Sequence, residues 1–258
     1  MLKTPPPALS LSDVFLSFDK PVLRGVTFDI QKGEMFSIIG PSGEGKTVLL
    51  KMLAGLIPPK SGTIRFDGAD LYRLNRKTRA LFARRMGMAF QKGGLFDSMN
   101  TAQNLHFPLR EMLRLKDPER TQRVRQALLD VGLSKEEEVS VKDLSGGMQK
   151  RLGIARALIL SPEVALYDDP TAGLDPITAR AINDLIRCMK EKYRMTVVIV
   201  SSDPRQIYAD SDRIGFLCRG DFLLVGTPDE IRGSTNQVVR QFIEGNLEGP
   251  LTTEREVT

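Results

Sequence analysis

Eight consecutive residues, Gly40 to Thr47, fit the pattern GxxxxGK[ST] without a mismatch. Glycines in such an octet let backbone N–H groups converge on a phosphate, and the helix that follows adds the positive end of its dipole. Lys46 would then place its charge beside the β- and γ-phosphates, while the hydroxyl of Thr47 would bind Mg²⁺. The sequence therefore predicts a nucleotide phosphate site formed by Gly40, Pro41, Ser42, Gly43, Glu44, Gly45, Lys46, Thr47 and Val48.

A second candidate is the apolar run Val164–Tyr167, which is followed by Asp168, Asp169 and Pro170. A buried strand of this kind delivers a carboxylate to the C-terminal edge of a sheet, where an aspartate can complete the shell of a Mg²⁺ ion. Strands often end in Asp, so the pattern alone is weak. Its place 120 residues after the phosphate loop strengthens it, and we predict Asp168 as a metal ligand.

The third element is a serine with two glycines at the start of a helical pattern, Leu144 to Gln149, just before that strand. A second helix start of this composition predicts a second phosphate cradle. With all three motifs, the chain resembles the ATP-binding subunits of ABC transporters from about Leu9 to Gly249. In that family the signature reaches the γ-phosphate held by the opposing subunit, which implies this role here for Ser145, Gly146, Gly147, Met148 and Gln149.

The resemblance implies further roles, one position at a time. Phe18 matches the aromatic residue on which adenine stacks, although a plain core phenylalanine is the alternative. Gln91 matches the Q-loop glutamine, which contacts Mg²⁺ and the attacking water. Asp175 belongs to the D-loop, which lines the dimer interface. The implied cofactors are ATP and Mg²⁺, with the metal held by Thr47, Gln91 and Asp168.

Two positions depart from the family pattern. Asp169 stands where the family has a glutamate as general base, and Ser202 stands where it has a histidine. We therefore expect a catalytic set of Asp169, Gln91 and Ser202 that binds ATP tightly and hydrolyses it slowly. Three interpretations stay open: a homodimer with Asp169 as a slower base, the weak-site half of a heterodimer, or a nucleotide-binding regulatory module.

These residues need a scaffold of short strands alternating with helices. The pattern predicts an α/β protein with a mostly parallel sheet. The resemblance implies a P-loop NTPase core, an antiparallel β subdomain and an inserted helical subdomain. We expect one domain over 1–258, with core at about 9–95 and 161–245, helices at about 96–160 and a tail at 246–258. The clearest predicted elements are a helix from about Lys46 to Leu56 and strands at Met35–Ile39, Thr63–Phe66, Val164–Tyr167, Thr196–Val200 and Arg213–Cys218.

Composition excludes several function classes. The 258 residues include 37 Lys and Arg against 32 Asp and Glu, a net charge of +5, and one histidine, His106. A histidine-rich metal centre and an HExxH metalloprotease are therefore impossible. The N-terminal residues lack an apolar signal region and no apolar run spans a bilayer, so we expect a cytosolic chain whose membrane association comes through a partner.

A basic stretch between positions 71 and 96 contains no acidic residue. Its cations lack the interleaved aromatic residues of a stacking platform, so a solvated helix face or a partner-docking surface is favoured and no nucleic acid is expected. The basic residues are Arg73, Arg76, Lys77, Arg79, Arg84, Arg85 and Lys92.

Three segments are more particular than the general family pattern. Ala89–Met99, Phe107–Glu111 and Arg240–Gly245, with Gly249 and Pro250 beyond, are similar to the ATPases of Mla-type, MCE-associated phospholipid transport systems. That resemblance implies a MlaE-like integral-membrane permease, an MCE-domain protein and a second ABC ATPase subunit as partners. It places the chain peripherally at the cytoplasmic face of the inner membrane. A generic solute importer remains the alternative.

Overall fold

The computed structural model describes residues 5–91, 93–113 and 115–253. Lys92 of the basic stretch and residues 254–258 of the predicted tail lie outside them. In chain order the elements are β1 (Leu9–Ser17), β2 (Pro21–Ile30), β3 (Met35–Ile39), α1 (Lys46–Leu53), β4 (Ser61–Phe66), β5 (Ala69–Asp70), α2 (Arg76–Arg85), β6 (Met86–Ala89), α3 (Thr101–Leu113), α4 (Asp117–Asp130), α5 (Gly146–Leu158), β7 (Val164–Asp168), α6 (Pro176–Tyr193), β8 (Thr196–Val200), β9 (Arg213–Cys218), β10 (Asp221–Gly226), α7 (Pro228–Arg232), α8 (Gln237–Glu244) and α9 (Pro250–Thr253).

The chain divides into two compact units. The first contains Met1–Arg73 and Val198–Thr258, and the second contains Leu74–Val197. The division falls inside β8. Parallel strands, an antiparallel sheet and helices are all present, so the predicted fold class is confirmed.

The first unit contains a four-stranded antiparallel sheet in the order β2-β1-β4-β5. It also contains β3, which pairs in parallel with β9 so that Ile39 lies opposite Phe216. Strand β10 returns antiparallel to β9. All five residues of β3 are buried. A continuous apolar run of strand length indicates burial on both faces, which is typical of a central parallel strand.

The second unit pairs β6 with β7 in parallel. Helices α3, α4 and α5 pack together, and Leu105, Val124 and Leu152 on them are fully buried. Helices α3, α4 and α5 all fall within the stretch at about 96–160 in which helices were predicted. It is interrupted by one isolated bridge between Asn100 and Ser140. None of the helices in the described part of the chain has the length and apolar character needed to cross a bilayer.

The predicted end of the first helix was wrong by three residues, because α1 stops at Leu53 and not at Leu56. Gly55 adopts a left-handed conformation at φ 74° directly after the helix. Its N–H donates to the carbonyl of Met52, and that of Leu56 donates to the carbonyl of Lys51. A left-handed glycine satisfies the last carbonyls in this way and ends the helix before the prolines at 58 and 59 are reached.

Candidate functional site

The phosphate-loop octet forms the turn between β3 and α1 in the first unit. Gly43 and Gly45 both adopt left-handed conformations, at φ 87° and 92°. Gly45 is the residue that caps α1, and it has no side chain that could accept a hydrogen bond from the first turn of that helix. Since amides at a helix N-terminus point outward along the axis, this turn presents donors and a positive dipole end to an anion.

The ammonium group of Lys46 lies over the same loop. Its Nζ donates to the carbonyl of Gly40 at 2.7 Å and to that of Pro41 at 2.8 Å, and the residue is only 6% exposed. A buried cation held by backbone carbonyls is already desolvated and oriented. The structure therefore gives the predicted phosphate lysine a fixed place inside its own loop.

Neighbouring segments of the first unit leave no room for side chains in this loop. A Cβ on Gly40 would lie 2.0 Å from the carbonyl oxygen of Leu217, and one on Gly45 would lie 2.8 Å from Cγ1 of Val22. The carboxylate of Glu44 also accepts a hydrogen bond from the backbone N–H of Arg219 in the β9–β10 turn. Glu44 therefore has a structural contact in addition to its predicted place in the phosphate site.

Phe18 lies in the turn between β1 and β2 and is 60% exposed. This exposure rules out the alternative of a plain core phenylalanine. Because Val22 near the start of β2 contacts Gly45, the hairpin that carries Phe18 packs beside the phosphate loop. An exposed ring at this place is suited to stacking on a flat base.

Ser202 follows β8 and is exposed, and no hydrogen bond of its hydroxyl occurs within the described part of the chain. Its neighbours are held instead. The N–H of Ser201 donates to the carbonyl of Ile38 at 3.0 Å, and that of Asp203 donates to Oγ of Ser201 at 3.1 Å. The backbone around position 202 is therefore fixed, while the side chain there is short and solvated.

The acidic pair and the predicted Q-loop glutamine lie at one edge of the second unit. Strands β6 and β7 are paired so that Ala89 lies opposite Tyr167, and Gln91 and Asp169 each follow two residues later. Asp168 is 5% exposed, whereas Asp169 is half-buried and left-handed at φ 46°. Aspartate tolerates this conformation better than most residues because its short side chain can hydrogen-bond locally.

The signature motif forms the N-terminus of α5. Ser145 caps the helix by accepting a hydrogen bond from the N–H of Met148 at 3.3 Å, and Ser145 and Gly146 are exposed. A Cβ on Gly147 would lie 2.9 Å from Cγ2 of Thr178 on α6, so this glycine permits close helix packing. The predicted second phosphate cradle is thus an exposed helix start within the second unit.

Two of the predicted interface residues also have intramolecular structural roles. The amide of Gln149 donates to the carbonyls of Val141 and Leu144 at 3.1 and 3.2 Å. Asp175 caps α6 by accepting hydrogen bonds from the N–H groups of Ile177 and Thr178, both at 3.0 Å. Hydrogen bonds from the Thr178 hydroxyl and backbone hold the pKa of the Asp175 carboxyl below its ordinary value.

Sequence reasoning missed Lys150, which follows the signature. Its Nζ donates to the carbonyl of Gln91 at 2.6 Å and to that of Asp169 at 3.4 Å. Lysine is common on exposed helix faces, so its type gave no signal. Its place one helical turn beyond a glycine pair is the feature that could have drawn attention.

The comparisons with known proteins agree with one another on family. The ABC transporter family model matches residues 23–172. "Protein TRIGALACTOSYLDIACYLGLYCEROL 3, chloroplastic" of Arabidopsis thaliana is 38% identical over 256 residues, covering 93% of this chain and 74% of that protein. The intermembrane phospholipid transport system ATP-binding protein MlaF of Haemophilus influenzae is 35% identical over 233 residues, covering 90% and 88%.

A third relative carries a different name. The probable ribonucleotide transport ATP-binding protein mkl of Mycobacterium leprae is 38% identical over 230 residues, covering 89% of this chain and 66% of that protein. Among solved structures, cbiO1 of Clostridium perfringens, part of the ABC transporter complex cbiONQ, is 28% identical with a TM-score of 0.82, covering 94% and 96%. The ADP- and Pi-bound dimer of the ATP-binding cassette MJ0796 is 29% identical with a TM-score of 0.77, covering 85% and 98%.

Proposed function

The chain belongs to the ABC transporter family as an ATP-binding subunit, and we propose that it drives lipid transport, with phospholipid as the cargo, through a partner permease. The observation that supports phospholipid as the cargo is the 35% identity to MlaF across 88% of that protein. The family is one of ATPases, so the second candidate differs in cargo and not in chemistry. It is a generic solute importer, which the printed name of mkl favours.

ATP is held, in this proposal, by the phosphate loop and by the exposed ring of Phe18. The first-turn amides of α1 and the buried ammonium of Lys46 neutralise the phosphates. In the second unit Asp168 and Gln91 offer oxygen atoms, which Mg²⁺ prefers as a hard cation, and the resemblance implies the hydroxyl of Thr47 as a further ligand. When bound, the metal supplies charge neutralisation on the phosphates.

Two copies of the fold form a clamp. The exposed start of α5, Ser145 to Gly147, is available to a phosphate held by a second subunit. Closure then requires that ATP bind the closed dimer better than the open one, since a ligand shifts an equilibrium only by its difference in affinity. We place the clamp at the cytoplasmic face of the inner membrane, beneath a MlaE-like permease and an MCE-domain protein.

Hydrolysis at this chain's own site is slow in this proposal. Asp169 is one C–C bond, about 1.5 Å, shorter than the family's glutamate, and a general base needs contact of roughly 2.6–3.2 Å with its water. Ser202 cannot become cationic as a histidine can. We favour a homodimer, with Asp169 as a slower base. The weak-site half of a heterodimer and a regulatory module are the alternatives.

The test uses the native complex purified with its permease. We expect Mg·ATP binding that Lys46→Ala abolishes, because this change removes the charge beside the phosphates. A normal steady-state rate from the purified homodimer, lost in Lys46→Ala, would contradict the slow site. Two different ATPase subunits in the complex would establish the heterodimer.

The same preparation also tests which cargo is transported. In proteoliposomes we expect ATP-dependent transfer of labelled phospholipid and no uptake of ribonucleotides. Uptake of a ribonucleotide without phospholipid transfer would favour the solute importer.

A further inference from the structure

One face of helix α5 lies along the segment that contains Gln91. Three α5 residues at a spacing of three contact this segment, and such a spacing places side chains on one side of a helix. Lys150 donates from Nζ to the carbonyl of Gln91 at 2.6 Å. Gly153 packs so closely that a Cβ on it would lie 3.5 Å from Cα of Gly93. The guanidinium of Arg156 donates to the carbonyl of Gly94 and lies 4.5 Å from the ring centroid of Phe96. The segment that contains Gln91 therefore packs against one face of α5, the helix that begins with the signature.

Lys150 differs from the other two because it also reaches a second segment. Its Nζ lies 3.4 Å from the carbonyl oxygen of Asp169, the residue directly after the buried carboxylate of Asp168. Strands β6 and β7 end at the same level, so the two carbonyls belong to neighbouring strand ends. A single half-buried ammonium thus bridges the two segments from which a metal ligand and a general base are predicted.

The charge of this ammonium strengthens both contacts. Burial lowers the pKa of Lys150, while the carboxylates of Asp169 and Asp168 act in the opposite direction and favour the charged form. Hydrogen bonds from an ionised donor are roughly twice as strong as neutral ones. An uncharged side chain of similar length would therefore hold the two carbonyls less firmly.

Lys150 is also rigidly linked to the signature. It lies five residues after Ser145 in the same helix, a distance of about 7.5 Å along the axis. The helix backbone is continuous from Gly146 to Leu158, so a shift of the exposed start of α5 carries Lys150 with it. Packed helices move as units and not by continuous deformation.

We propose that Lys150 is a positioning residue through which the signature helix sets the places of Gln91 and Asp169. Binding of a second subunit's nucleotide at Ser145 would then align the Q-loop and the segment after Asp168 in its own subunit. The inference rests on the proposed function, since it takes these residues as parts of an ATP site. It adds a coupling between the signature and the two segments that the motifs themselves do not contain.

The test compares Lys150→Met, Lys150→Arg and the control Lys135→Met in the assembled transporter. Lys135 is an exposed lysine of the same unit. Mg·ATP affinity, single-turnover hydrolysis and ATP-dependent amide hydrogen exchange are measured for each. For Lys150→Met we expect hydrolysis about tenfold slower, because misplacement by a fraction of an ångström slows catalysis strongly. ATP affinity stays within about twofold, as for a change that acts on the chemical step alone.

Hydrogen exchange separates positioning from general stability. In the unmodified chain we expect ATP to slow exchange at residues 40–48 and at residues 86–99. Lys150→Met should keep the protection at 40–48 and lose that at 86–99. Lys150→Arg should restore the protection at 86–99, and Lys135→Met should change neither. If Lys150→Met does not fold, Lys150→Gln, which keeps a donor without the charge, takes its place.

Unchanged hydrolysis together with retained ATP-induced protection at 86–99 in Lys150→Met overturns the inference. If Lys150→Met loses ATP-induced protection equally at residues 40–48 and at residues 86–99, the inference is also overturned, because Lys150 would then contribute only to general stability. Failure of the unmodified chain to bind ATP refutes the proposed function instead. The two failures are therefore distinguishable.

Discussion

Restoring the family's glutamate at position 169 is the sharpest test of the predicted slow site. Asp169 is half-buried directly after β7, and an added methylene moves its carboxylate farther from the backbone. The extension is about 1.5 Å, and misplacement of about 1 Å costs on the order of 10²-fold in rate. We therefore expect Asp169→Glu to raise kcat by about 10- to 100-fold.

The same substitution has a structural cost that can be bounded. Asp169 has φ 46°, and the left-handed region costs most residues about 1–2 kcal/mol, less for Asp. We expect the free energy of unfolding to fall by at most about 1 kcal/mol, which is too little to unfold a domain of this size. KM for ATP should stay the same, because the phosphate loop is untouched.

The assay is steady-state phosphate release by the assembled complex, with urea unfolding in parallel. Asp169→Asn defines the rate without a base at this position, and Asp97→Glu is the matched control at an exposed aspartate. A kcat for Asp169→Glu equal to that of the unmodified chain, with KM and stability preserved, would refute the reasoning. The side chain at 169 would then not limit hydrolysis.

Two further predictions concern stability in the second unit. Tyr167 is fully buried and, among the described residues, its hydroxyl has no hydrogen-bond partner. Tyr167→Phe should therefore raise the free energy of unfolding, measured by urea titration, by about 1 kcal/mol. A clear decrease in that free energy would show that the hydroxyl has a partner such as water. Burial alone would raise the pKa of Asp130, but hydrogen bonds from Lys192, Tyr193 and Gln126 at 2.6 to 2.7 Å outweigh it and hold the pKa below its ordinary value. A carboxyl whose pKa is lower in the folded than in the unfolded state contributes stability above its unfolded pKa, and this contribution is lost as pH falls. Asp130→Asn should therefore reduce the free energy of unfolding by about 1–3 kcal/mol at pH 7 and by progressively less below about pH 4. A cost that does not change with pH would contradict this.

The phosphate loop and most of its supporting elements could be predicted from local sequence. The apolar run of β3 is recognisable because a strand buried on both faces needs no alternation, and glycine spacing alone predicts the turn that follows it. The strands Thr196–Val200 and Arg213–Cys218 were predicted with the bounds that the structure gives. In these segments short-range patterns and tertiary burial agree.

The first helix shows where such reasoning fails. Its apolar pattern continues to Leu56, yet α1 ends at Leu53 because Gly55 takes a left-handed turn. A periodic pattern reports which side of a segment is buried, and a glycine near its end decides where the helix stops.

Residue identity by itself determined which chemical groups this chain offers, and it predicted their roles: a phosphate loop with its lysine, an aspartate at the end of a strand, a signature serine, and an aspartate and a serine where the family has glutamate and histidine. Only the tertiary structure decided what holds these groups. It placed Gln149 against a preceding turn, made Asp175 a helix cap, and brought Lys150 to the carbonyls of Gln91 and Asp169. The physical reason is that backbone carbonyls carry no sequence signature, so a contact made to them by a distant side chain exists only once the chain has folded.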